Sequence, residues 1–334
     1  MKYKLTFIAV LVSFTVYCQL PADSMYSIIQ QRSIYSNKAD WNVIEKNFKS
    51  KLQNAKTDID TIKAFISIFE RLGDVHSNIS YNNKTYSNYP TYDDTTLKKL
   101  MPLVAKSQQQ NGIIKTSVVE KNYGYIQIPG IQAWGQKTNE YAQAIADSIC
   151  WLAAKKVKGY IIDLRLNSGG QLSAMLSGLN LLLGNTYLGG GVNSYGTETN
   201  RFEILKNNFC INAVQMTAIK NKCDALLSSK PVVVLIGPAT ISSGSISAIA
   251  FKGRPATLFI GEPTADGYTT GNDYFYFTPT LSLNLSTSYS QDRNKIIYKN
   301  SVEPEVVIKD GDDFDRLIND KKVKKAIEWM KSKQ

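Results

Sequence analysis

The sequence predicts an α/β protein: a small helical domain followed by a larger core of alternating strands and helices. Two observations carry this. Residues 21 to about 80 place apolar side chains at helical spacing. Beyond residue 120, apolar runs of strand length alternate with runs of helical period, which implies right-handed crossovers and a partly parallel sheet.

The chain opens with a short basic start, Met1-Lys2-Tyr3-Lys4. The apolar or small stretch from Leu5 to Tyr17 is too short for a comfortable membrane span. Residues 1–20 therefore read as a signal peptide, cleaved around Cys18 to Leu20. The bulky Tyr17 before Cys18 argues against lipid attachment. An exported protein, periplasmic or extracellular, is expected, with no transmembrane span after signal cleavage.

In the helical domain, 21–85, Trp41, Ile44, Phe48 and Leu52 recur at helical spacing. Ile62, Phe65, Ile66, Phe69 and Leu72 do the same behind Asp58 and Asp60, and Gly73 stops that helix. Residues 81 to 97 read as a loop or linker. The core, 86–334, begins there. Strands are expected over Tyr123–Ile128, Gly159–Leu164, Pro231–Ile236 and Thr257–Ile260. Helices are expected over Glu140–Lys155 and Leu172–Leu183, and after Ser242. Leu281 to Ser286 alternates strictly, as a half-exposed strand does. Gly189-Gly190-Gly191 reads as a flexible bend.

Composition removes several function classes. The 334 residues carry a net charge of +11, mostly as scattered lysine. The one basic run, Lys321 to Lys325, falls on a terminal helix whose Leu317, Ile318, Ile327 and Trp329 can face the core. It reads as a solvated helix face rather than a nucleic-acid site. One histidine and no C-x-x-C pair leave no usual zinc site. Gly169-Gly170 lacks the lysine of a phosphate loop, and no cofactor is expected. A Cys210–Cys223 disulfide fits an oxidising compartment, the alternative being buried thiols; Cys150, on an apolar helix face, reads as a buried thiol.

The single histidine, His76, lies in Gly73-Asp74-Val75-His76-Ser77. Imidazole trades protons near neutral pH, so it is the one candidate for a histidine base. Pro231 through Ser245 reads as a buried strand, a tight turn, and small hydroxyl residues opening a helix. That context suits a nucleophile with free N–H groups beside it, and it also suits a plain helix N-cap. A second strand ends in Asp163 and Arg165 and turns through Asn167-Ser168-Gly169-Gly170.

Taken in order, six stretches resemble the tail-specific, or C-terminal processing, serine protease family. They are Leu72–Ser77, Tyr123–Ile128, Asp163–Gly170, Pro231–Ser245, Gly261–Thr264 and Val302–Glu305. The resemblance spans nearly all of the mature chain. It implies a crotonase/Clp-protease-like core, a peptide or protein substrate, and one of two catalytic schemes. The lysine of the Ser–Lys scheme is replaced here by Gly267. The tricorn-like Ser–His branch fits, with Ser242 as nucleophile, His76 as general base, and Gly170 and Ser243 N–H groups as the oxyanion hole. Activity is then expected to fall below about pH 6, as imidazole protonates.

Two family acids are missing. Ser245 stands three places after the nucleophile, and residues 297–301 hold no glutamate. Tyr298, Asp74 and Glu262 are the candidates to orient His76. Between His76 and Tyr123 there are 46 residues, too few for an inserted PDZ domain. The missing acids keep open a catalytically impaired peptide-binding protein on the same scaffold. A lyase or hydratase on the related crotonase fold would need a coenzyme site that is not evident.

Overall fold

The computed structural model describes residues 20–89, 95–110, 112–223 and 227–333. All of the expected signal peptide except Leu20 lies outside them. Among the described residues, no helix is long and apolar enough to cross a membrane.

Two sheets make up the α/β core. The six-stranded sheet has the order Val306–Val307, Thr257–Gly261, Val232–Ile236, Gly159–Asp163, Tyr123–Gln127, Lys115–Val119. It is parallel except for the last pair, Lys115–Val119 against Tyr123–Gln127. Its three central strands, Tyr123–Gln127, Gly159–Asp163 and Val232–Ile236, are buried throughout. Ile162, Val232, Val234 and Ile236 face one way, onto Ile145, Ile149 and Leu152 of the helix Gln136–Ala154. Ile161, Val233 and Leu235 face the other, onto Val323, Ala326, Ile327 and Met330 of the last helix, Lys321–Lys331. That helix leaves Lys321 and Lys324 exposed, as a solvated face requires, with one exception in the basic run. Lys322 is fully buried, 2.8 Å from Asp312 and 3.6 Å from Glu262, because its position falls on the apolar stripe one residue before Val323. Ile318, expected to face the core, is exposed.

The nine-stranded sheet is antiparallel and centres on the long strand Leu281–Asp292. Leu281, Leu283 and Leu285 pack with Met25, Ile29, Ile44, Phe48, Phe65 and Phe69 of the N-terminal helices. Part of the expected linker is ordered into this sheet as the hairpin Asn78–Tyr81 and Lys84–Ser87. A helix, Thr95–Gln109, follows.

The triple glycine is a strand, Tyr187–Val192, and not a bend. A Cβ at Gly189 would stand 2.0 Å from the Gln291 carbonyl, and one at Gly190 1.8 Å from that of Asn200. Glycine is used here for close approach of neighbouring backbones.

The disulfide joins Cys150 to Cys223, and Cys210 is a buried free thiol. This overturns both the expected Cys210–Cys223 pair and the buried thiol expected at Cys150. Asn139, Gln143, Asp147 and Cys150 share one face of the helix Gln136–Ala154. Asn139 accepts from Ala218 N–H, Gln143 exchanges bonds with Lys220, and Asp147 pairs with Lys222. The ladder lays residues 218–222 along the helix and brings Cys223 to Cys150. Cys210 is held away, paired in the strand Asn208–Ile211.

Candidate active site

Adjacent parallel strands end on the same edge of a sheet, so the turns after Asp163 and Ile236 emerge side by side. Several bonds lock them together. Thr240 Oγ1 donates to the Leu164 carbonyl at 2.8 Å, and Ile241 N–H to the Asn167 carbonyl at 2.9 Å. Asn167 accepts from Gly169 N–H and donates to the Ile128 carbonyl. Gly244 allows this closeness, since a Cβ there would stand 2.5 Å from the Asn167 oxygen. Beneath the first turn, buried Arg165 forks onto Asp163 and also pairs with Asp312 and Asp320. Removing one partner of such a cluster strands a buried charge, at about 3–5 kcal/mol.

The second turn ends at Ser242, whose φ of 55° and ψ of −122° suit glycine rather than an L side chain. Such a backbone costs on the order of 1–3 kcal/mol and persists only where its surroundings enforce it. It projects the hydroxyl away from the helix Ser243–Ile249 that follows. Gly170, at φ 108°, lies in the facing turn, and a Cβ there would stand 2.0 Å from the Ile131 carbonyl. Ser243 Oγ donates to the Gly170 carbonyl at 2.7 Å. Among the described residues, neither Gly170 N–H nor Ser243 N–H has a protein acceptor.

His76 arrives from the other sheet. The helix Asp58–Leu72 opens with a Thr57–Asp60 capping box and closes with Gly73 at φ 68°, where Asp74 N–H bonds back to Phe69. Asp74 accepts from the His76 and Ser77 N–H groups, which fixes the turn. The imidazole Nε2 stands 2.9 Å from Ser242 Oγ. Its Nδ1 stands 2.7 Å from Thr270 Oγ1.

Thr270 opens the strand Thr270–Thr278 and was not among the sequence candidates. Its hydroxyl lies 3.1 Å from Asn272 Oδ1 and 3.2 Å from Ser286 Oγ, and Ser286 Oγ lies 3.2 Å from Asp74 Oδ1. A line of hydroxyls thus joins the far side of the His76 ring to a buried carboxylate. One sequence signal bore on it: the strict alternation of 281–286 sets Ser286 on the face opposite the leucines. That face is buried against the site, with Ser286 and Asn284 both shielded, and is not the half-exposed surface expected.

Of the three proposed orienting groups, only Asp74 belongs to this network, and it reaches the ring through Ser286 and Thr270. The Tyr298 hydroxyl bonds Asp292 at 3.0 Å. Glu262 accepts from Thr96 and lies by Lys322. Neither bonds His76. Ser245, in the place of the family acid, donates to the Thr240 carbonyl. Burial pushes the His76 pKa down to about 4. Burial also pushes the Asp74 carboxyl up, against the donors from Ser77, His76 and Ser286 that favour its charge.

Ser242 and His76 open onto a cleft of about 790 Å³ between the two sheets. Trp134, Met101, Tyr274, Tyr89, Asn78 and Asn284 are among the residues that line it.

Comparison with known proteins gives a consistent result. Residues 122–308 match Peptidase family S41. The nisin-resistance protein of Lactococcus lactis subsp. lactis is 25% identical over 329 residues, covering 96% of this chain and 90% of that protein. A carboxy-terminal-processing protease of Bartonella bacilliformis is 28% identical over 143 residues, covering 43% of this chain and 29% of that protein. Among solved structures, a lipoprotein from Streptococcus agalactiae superposes with a TM-score of 0.70 at 22% identity, covering 94% of this chain and 96% of that one. The photosystem II D1 C-terminal processing protease superposes with a TM-score of 0.52 at 13% identity, covering 86% and 92%.

Proposed function

From the premise that this chain belongs to peptidase family S41, we propose that it is an exported serine peptidase that hydrolyses peptides through an acyl-enzyme on Ser242. The observation that carries this is the 2.9 Å approach of His76 Nε2 to Ser242 Oγ, made by residues from two different sheets.

The mechanism calls for one proton inventory. Nε2 accepts from the Ser242 hydroxyl, so Nδ1 carries the ring proton and donates to Thr270 Oγ1. The Thr270 hydroxyl donates onward, to Asn272 or to Ser286, which in turn donates to Asp74. Neutral His76 takes the Ser242 proton as the oxygen attacks the peptide carbonyl, and returns it to the leaving amine. Water then releases the acyl group by the same route. Gly170 and Ser243 N–H groups receive the oxyanion, each worth on the order of 3 kcal/mol to the barrier. The Ser243 hydroxyl, bonded to the Gly170 carbonyl, anchors the backbone immediately after that N–H. Thr270 does the orienting work that a carboxylate does in a Ser-His-Asp triad, without its charge.

Export is supported by the basic–apolar start of the chain and by the Cys150–Cys223 bridge, since disulfides persist in oxidising compartments. The test is labelling by a fluorophosphonate probe together with hydrolysis of a peptide panel that includes nisin. Wild type is expected to label and cleave, and Ser242→Ala to do neither. Labelling that survives in Ser242→Ala overturns the nucleophile. A wild type that binds peptides without labelling or cleaving them is instead a non-catalytic binding protein.

A further inference from the structure

The strand Leu281–Asp292 sends alternate side chains to its two faces. Those opposite the leucines point toward the site: Ser286 meets the His76 network, and Asn284 lines the cleft beside it. Asn284 is 9% exposed, and among the described residues its buried Oδ1 has no hydrogen-bond partner. Leaving a buried amide oxygen unpaired costs about 1–3 kcal/mol, a cost that an apolar residue of similar shape would avoid.

Strand register gives Asn284 two neighbours, Asn78 on one side and Tyr274 on the other. The three form a row across the sheet at the cleft. Tyr274 is 53% exposed and stacks against Tyr276. Trp134, 67% exposed, lines the same cleft from the layer of the other sheet. An exposed ring beside an unsatisfied buried amide, with a second exposed ring lining the same cleft, leaves both apolar and hydrogen-bonding capacity unused.

We infer that this row is a peptide-binding subsite, in which Asn284 bonds a main-chain amide of an extended substrate while Tyr274 and Trp134 seat an aromatic or large aliphatic side chain. The inference rests on the peptidase reading above. An extended peptide brings N–H and C=O groups that need partners when they leave water, and a carboxamide offers donor and acceptor together. Main-chain pairing of this kind is indifferent to sequence, so the rings set the preference.

The experiment uses the Ser242→Ala chain, which holds peptide without turnover. Fluorescence anisotropy compares a labelled Ala-Ala-Phe-Ala-Ala peptide with its all-alanine counterpart. The phenylalanine peptide is expected to bind more tightly. Adding Asn284→Leu should weaken both peptides about tenfold and raise the melting temperature, an outcome that loss of a structural hydrogen bond would not give. Adding the exposed change Tyr274→Ala should erase the preference for phenylalanine.

Unchanged affinity in Asn284→Leu overturns the inference, as does an unchanged phenylalanine preference in Tyr274→Ala. If Asn284→Leu does not fold, Asn284→Ala carries the same affinity test. Fluorophosphonate labelling of the wild type separates the two readings. Labelling without the expected binding changes sinks the subsite alone. The expected binding changes without labelling sink the nucleophile alone.

Discussion

The two sheets contribute to the cleft in opposite ways. The parallel sheet supplies Ser242 and Gly170 from turns at adjacent strand ends, tied by short-range bonds through Thr240, Asn167 and Gly244. The antiparallel sheet and the turn leading into it supply His76, Thr270, Ser286 and Asp74 from three separate stretches of chain, brought together by strand pairing and linked at the site by side-chain bonds. One half is a local device repeated at neighbouring strand ends. The other is assembled from distant parts, and its chemistry depends on register.

The largest effects should come from the atoms that meet between the sheets. Ser242→Ala and His76→Ala are each expected to cut peptide hydrolysis by about a thousandfold or more. Steady-state rates check this, and a His76→Ala chain with full activity would leave the antiparallel sheet with no catalytic part.

Next is the group behind the ring. Thr270→Val keeps the shape and removes the hydroxyl, and kcat should fall on the order of tenfold to a hundredfold, less than for His76→Ala because a neutral partner is lost. Thr270→Ser should restore most of it. Equal rates for valine and wild type would reduce the hydroxyl line to a packing feature.

The pH profile sharpens the same point. In the proposed mechanism a neutral imidazole is the base, and burial pushes its pKa down to about 4. The acid limb of kcat/KM should therefore lie well below the pH of about 6 expected for an unperturbed ring. A limb near 6 would mean that the ring is solvated and the wall around it open.

The smallest effect concerns the parallel sheet alone. Ser242 holds a glycine-like backbone, so Ser242→Gly should be more stable than Ser242→Ala by about 1 kcal/mol in urea unfolding. Equal stability would show that the turn relaxes once the hydroxyl is gone.

The same contrast explains what could be read from the amino-acid order. Buried parallel strands appear as continuous apolar runs, and the turn residues after them are contiguous, so the 159–170 and 231–245 stretches were readable. The helix ending at Gly73 was readable from its period and its stop. Thr270 was not, because no local pattern marks a threonine that meets a histidine 194 positions away. The alternation at 281–286 was visible, but alternation does not say whether the polar face meets water or another part of the fold. The cysteine pairing failed for a related reason: the Asn139–Gln143–Asp147 ladder that selects Cys223 for Cys150 is a tertiary feature.

That bridge also has a mechanical consequence. Cys150 sits on a helix packed against the parallel sheet, while Cys223 follows the last strand of the antiparallel one, Val214–Gln215. The link ties that helix to the chain leaving the other sheet, and it is expected to limit how far the two can part. Closing a loop of 73 residues restrains the unfolded chain by roughly 4 kcal/mol. In the folded chain the same tie is expected to hold Ser242 and His76 at their present separation. Mild reduction should then slow turnover at temperatures where circular dichroism still reports a folded protein, with activity lost to a widened jaw before any strand is melted.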